Sequence, residues 1–94
     1  MDRNKINEKY MDNLARAFVK IAKEADVSLF FKELLTESEI ETLSKRWRIL
    51  EMLNAGVTQR EIAKELQVSL CKVTRGAKIL KDDKSILAKM IKEN

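Results

Sequence analysis

The sequence predicts an all-α domain of about six helices joined by short turns. Three observations carry this. Proline is absent from the 94 residues and glycine occurs only twice, so the usual helix breakers are nearly missing. Apolar side chains recur every third or fourth residue, and no stretch alternates as a strand does. Two segments, "TESE" at 36–39 and "TQRE" at 58–61, have the capping-box form that opens a helix.

The elements follow in order. Ile6, Tyr10, Leu14, Phe18, Ile21 and Ala25 form one apolar stripe, predicting a long first helix over 6–25. Ser28 is placed to cap a short helix over Leu29–Leu35. Thr36 opens a third, with Ile40, Leu43, Trp47, Leu50 and Leu53 inward and Trp47 in the core. Gly56 suits the left-handed position that closes it. Thr58 caps a fourth helix with Ile62, Ala63 and Leu66 on its apolar face, and Ser69 caps a fifth from about Leu70 to Leu80. "KDDK" interrupts, and a last helix runs from about Ser85 to Lys92 on Ile86, Leu87 and Met90. No repeat or linker divides the chain, so one domain over 1–94 is expected.

The long first helix has more apolar stripe than the short helices can cover. Burial against a second copy is the economical solution, so a homodimer is expected.

Composition narrows the function. The net charge is +4, and residues 57–84 hold seven Lys/Arg against four acids, whereas residues 29–56 hold four against five. The basic surplus is therefore local, as a polyanion-binding segment requires. The single cysteine, Cys71, excludes an intrachain disulfide. There is no apolar run long enough to span a membrane and no leader pattern, so a cytoplasmic protein is expected. The chain has no histidine, no evident carboxylate pair and no metal-ligand cluster, which argues against an enzyme.

Residues 58–80 have helix-turn-helix form, whose second helix enters the major groove of double-stranded DNA. The reading residues would be Ser69, Leu70, Cys71, Lys72 and Thr74. Gln59 and Arg60 would face backbone or flanking bases, and Lys64, Lys78 and Lys81 would reach phosphates. Leu70 and Cys71 stand at an end of the helix where core packing does not call for them. An ordinary helical hairpin with a solvated basic face is the alternative.

Gly76 stands where the second helix usually keeps an apolar anchor. The missing side chain predicts a hollow, with Arg75 beside it and Ile79 one turn on. An arginine at the edge of a hollow suits a flat ligand bearing a carboxylate.

These residues resemble the tryptophan repressor family over about Leu29–Lys81. "KRWRILEML..G", "TQREIAKEL" and "TRGAKILK" carry the likeness, above all Thr74-Arg75-Gly76 with Lys81 after it. The resemblance implies an intertwined all-helical homodimer that represses transcription from a DNA operator when L-tryptophan, its corepressor, is bound. It implies that Arg46 and Arg75 sandwich the indole, that Arg75 and Thr36 hold the carboxylate, and that Gly76 lets the ring approach. Main-chain carbonyls near Glu33 and Leu35 of the second copy would accept from the amino group. Two positions depart from the family: Ile79 replaces a serine that helps hold the amino group, and Lys72 replaces a threonine at the pocket edge. Tryptophan, a related indole carboxylate, and no corepressor at all with Ile79 filling the hollow are the three readings left open. A non-DNA helical interaction protein is the reading from a different class.

Overall fold

The structure is a computed structural model that describes the backbone of residues 3–93 and the side chains of residues 7–93. Among the described residues there are six helices and no strand: α1 (Arg3–Val19), α2 (Glu24–Leu34), α3 (Glu37–Asn54), α4 (Gln59–Leu66), α5 (Leu70–Lys81) and α6 (Ile86–Glu93). The chain divides after Glu37 into two compact units.

In the first unit the expected single helix over 6–25 is two helices. The Lys20 and Ile21 amides donate to the carbonyls of Ala17 and Phe18, tightening the last turn, and the helix ends at Val19. Ile21 therefore leaves the stripe, Ala25 belongs to α2, and the Ile6 side chain lies outside the described residues. The second helix starts earlier than Ser28 predicts. Lys23 adopts extended backbone at its cap without a side-chain hydrogen bond, and Glu24 and Asp26 fill the first turn. Carboxylates there complement the positive end of the helix dipole, which is the start signal in place of a hydroxyl cap. Ser28 is interior to α2. Phe18 meets Phe30 and Phe31 with ring centroids 5.7 Å from each, and this is the unit's main apolar contact. No described side chain of the unit is buried.

The second unit has a core of its own. Ile49 and Met52 of α3, Ile62 of α4 and Val73 of α5 are buried together, with Ile62 and Val73 fully enclosed. Leu53, Val57, Ala63, Leu66 and Val68 pack around them. The buried face of α3 is thus Ile49, Leu50 and Met52, not the whole predicted stripe. Leu43 is exposed and Trp47 only half-buried, so Trp47 is not a core residue. The stripe assumed that α3 is covered along its length, whereas within this unit only its C-terminal half is.

Turns between these helices follow the caps. Gly56 sits at φ +89°, the Val57 amide donates to Met52 and the Gly56 amide to Leu53, which together close α3 in a Schellman turn. Thr58 Oγ1 accepts from the Glu61 amide at 3.3 Å, and Ser69 Oγ accepts from the Lys72 amide at 3.4 Å. Between α4 and α5 the same turn geometry recurs on Gln67, which is held at φ 55°. In α6 the buried side chains are Ala88 and Ile91, while Ile86 and Met90 are exposed. The inward face is thus rotated from the predicted one, and Ser85 caps the helix, its Oγ accepting from the Ala88 amide. Asn54 Nδ2 donates to the Ile91 carbonyl, tying α6 back to α3.

Candidate functional site

The helix-turn-helix is built as a small rigid piece. Its two caps fix where each helix begins, and Ile62 and Val73 interlock between them. A further tie crosses the pair: Thr74 Oγ1 donates to Gln59 Oε1 at 3.0 Å. Thr74 and Gln59 were both expected to face DNA. They face each other, which leaves the Gln59 amide nitrogen as that side chain's outward group.

Ser69, Leu70, Cys71 and Lys72 are all exposed at the start of α5. Leu70 is 47% exposed although apolar, so the core does not account for it. Arg60, Lys64, Lys78 and Lys81 are exposed as well, on α4 and along α5. A projecting helix end with small and apolar side chains at its tip and cations on its flanks suits the major groove with phosphates on either side.

Behind the tip lies a cleft of about 460 Å³. Its walls are apolar over Leu43, Trp47, Leu50, Ile79 and Leu87, and Arg46, Arg75 and Lys72 stand in it with Gly76 between. The sequence brought Arg46, Arg75, Gly76 and Ile79 to one place as expected. Leu87 of α6 was expected on an apolar face but not in the cleft. Thr36, Leu35 and Glu33 belong to the first unit, where Leu35 is the C-cap of α2 and α3 begins one residue after Thr36.

The three cations lack a carboxylate partner among the described residues. The ion pairs on α3 are Lys45–Glu41 at 3.0 Å and Arg48–Glu51 at 3.5 Å, and neither involves them. A smaller cleft of about 220 Å³ adjoins; it shares Arg46, Ile49 and Lys72 and adds the hydroxyls of Ser38 and Thr42, the Glu41 carboxylate and the Gln67 amide.

Gly76 is the main correction. A Cβ there would stand 2.9 Å from Ile49 Cγ2 and 3.3 Å from Leu53 Cδ1. The space a side chain would take is thus already filled by α3, so the glycine faces a helix in that direction while also lining the cleft. The glycine is needed for the close crossing of α3 and α5. The cleft opens alongside that crossing, and Ile79 lines it without filling it.

A capped helix pair with an exposed reading end and a basic flank defines a helix-turn-helix protein of the DNA-binding type. Residues 9–94 match the family described as Trp repressor protein, a longer span than the Leu29–Lys81 resemblance. A Trp operon repressor homolog of Xylella fastidiosa (strain M23) is 40% identical over 87 residues, covering 89% of this chain and 95% of the relative. One from Chlamydia trachomatis serovar D is 38% identical over 63 residues, 66% of this chain and 67% of that protein. Another from Chlamydia caviae is 43% identical over 53 residues, 55% of this chain and 52% of that protein. No solved structure matches the chain. The chain belongs to the Trp repressor family, whose members are DNA-binding transcriptional regulators and not enzymes. Among the described residues no helix is long and apolar enough to cross a membrane.

Proposed function

We propose that this chain is a cytoplasmic homodimeric repressor that reads a double-stranded DNA operator and is gated by a small aromatic carboxylate, with L-tryptophan the first candidate. The observation that carries the reading is the apolar cleft with Arg46 and Arg75 standing in it, directly behind the exposed tip of the reading helix. A guanidinium there pairs with the carboxylate and lies against the ring. Lys72 belongs to both the cleft and the reading end, so ligand and DNA share a residue.

The dimer is supported by the first unit. Tyr10, Met11, Leu14 and Val19 of α1 and Leu29 and Leu34 of α2 are exposed apolar side chains with no covering of their own. A second copy is the cover this proposal assigns to them.

The test is DNA binding with and without ligand. Affinity for operator DNA should fall by orders of magnitude between about 50 and 200 mM salt and should rise on adding the aromatic acid. A flat salt response would point to an assembly role, and a ligand-blind response to constitutive repression. Arg75→Ala is expected to weaken ligand binding about thirtyfold or more by calorimetry, since truncating one member of a desolvated charge pair costs at least about 2 kcal/mol. Sedimentation of the same variant should be unchanged.

A further inference from the structure

We infer that Gln59 reads a base: its amide, turned by Thr74 so that its N–H groups face outward, selects guanine in the operator. This rests on the proposed reading that the chain binds operator DNA, to which it adds a specificity-determining residue.

Three observations carry it. The first is where the amide lies. Gln59 is the first residue of α4, yet its Oε1 is 3.0 Å from Oγ1 of Thr74, the fifth residue of α5. A side chain bound for a phosphate reaches to the flank of a docked helix, where the strands run. This one lies against the helix that enters the groove, where base edges are met.

The second is polarity. The Thr74 hydroxyl donates to Oε1, so the two Nε2 hydrogens form the outward end of the side chain. An untethered glutamine pairs with adenine by accepting from N6 and donating to N7. With its oxygen drawn towards α5, Gln59 loses the accepting half of that pair. Guanine presents O6 and N7 as adjacent acceptors, and thymine presents O4 alone. Adenine sets an amino donor beside its N7, and cytosine presents only a donor. Leu70 and Lys78 stand one turn to either side of Thr74 along α5. Leu70 has no polar atom and Lys78 only donates, so neither supplies the missing acceptor.

The third is rigidity. Thr58 Oγ1 caps α4 on the Glu61 amide, and Gln67 at φ 55° closes the helix. Ile62 and Val73 are fully buried where α4 and α5 meet. Gln59 therefore stands in place before DNA arrives, and little ordering remains to oppose a contact.

The experiment is selection from a random duplex library with the full chain, with and without L-tryptophan. The selected duplex is then titrated with each of the four base pairs at each position. One position should prefer guanine by about fivefold or more over adenine and cytosine, as expected for one well-placed base contact. Gln59→Ala should flatten that position alone to within about twofold. Thr74→Val, which frees Oε1, should move its preference to adenine, and Thr74→Ser, which keeps the hydroxyl, should retain guanine. Binding to a random-sequence duplex at low salt, which reads phosphates, shows whether each variant still docks. If Thr74→Val does not dock, Gln59→Ala, which leaves α5 unaltered, decides alone. Variants that lower affinity equally for every base pair, with the preference intact, make Gln59 a phosphate or structural contact and overturn the inference. A native preference for adenine or cytosine that depends on Gln59 means the amide is turned the other way, and overturns it too. Operator binding stands in both cases. If no duplex is selected and the salt response is flat, the operator reading fails and the inference with it.

Discussion

The two units of this chain are built on opposite terms. In α3–α6 each helix buries side chains of its own, α3, α4 and α5 in one shared core, every short helix has a hydroxyl cap or a closing turn, and Ile62 and Val73 are sealed from solvent. In α1–α2 no described side chain is buried, and apart from the cluster of Phe18, Phe30 and Phe31 most large apolar residues are exposed. The difference teaches which part of the sequence encodes its own fold. The second unit is held by its own interior, whereas the first displays an apolar surface and no buried side chain among its described residues.

Four changes would break or sharpen that contrast. The largest effect is expected for Ile62→Ala, which empties the centre of the second unit. A cost of about 3 kcal/mol is expected, read as a lower denaturation midpoint. Next comes the pair Tyr10→Asp with Leu14→Asp on the exposed stripe of α1. On a free surface these would be silent. On a covered one they should weaken self-association about a hundredfold or more by analytical ultracentrifugation, as expected for buried anchors of an interface. The third is Gly76→Ala. Overpacking against the stiff Ile49 methyl costs about 1–3 kcal/mol and alanine returns about 1 in helix propensity, so a net loss of about 1 kcal/mol is expected. A gain in stability would mean that α3 and α5 do not cross closely there. The smallest is Gln67→Gly in the turn between α4 and α5. Relief of the left-handed backbone slightly exceeds the entropy glycine adds to the unfolded chain, and thermal unfolding should show a gain of about 0.5 kcal/mol.

The same contrast governs what could be read from the sequence. Helix starts at Thr58 and Ser69 and the turn at Gly56 were legible because each depends on one residue's local chemistry. The break between α1 and α2 was not. The apolar spacing runs through Lys20–Lys23 without proline or glycine, so periodicity alone reads one helix where there are two. Ser28 misled because serine is common at caps, while Glu24 and Asp26 supplied the real signal through the helix dipole. Trp47 and Leu43 were assigned inward on spacing, but spacing does not say how far along α3 a partner extends. The cleft was half legible. Arg46, Arg75, Gly76 and Ile79 were found through the motif, but the close approach of α3 to Gly76 was not. A missing side chain is equally consistent with a ligand and with a close helix, and only coordinates separate the two.

The hydrogen bond from Thr74 to Gln59 has a mechanical side. With it, α4 and α5 are tied across their outer ends as well as through Ile62 and Val73. Helix α5 has 12 residues and so is about 18 Å long. Arg75 lies five positions from the tip residue Leu70, about 7.5 Å along the axis. Arg75 and the tip therefore belong to one stiff segment, and the tie joins the start of α4 to it. Removing the Thr74 hydroxyl would loosen the pair at its outer end while Ile62 and Val73 still hold its centre.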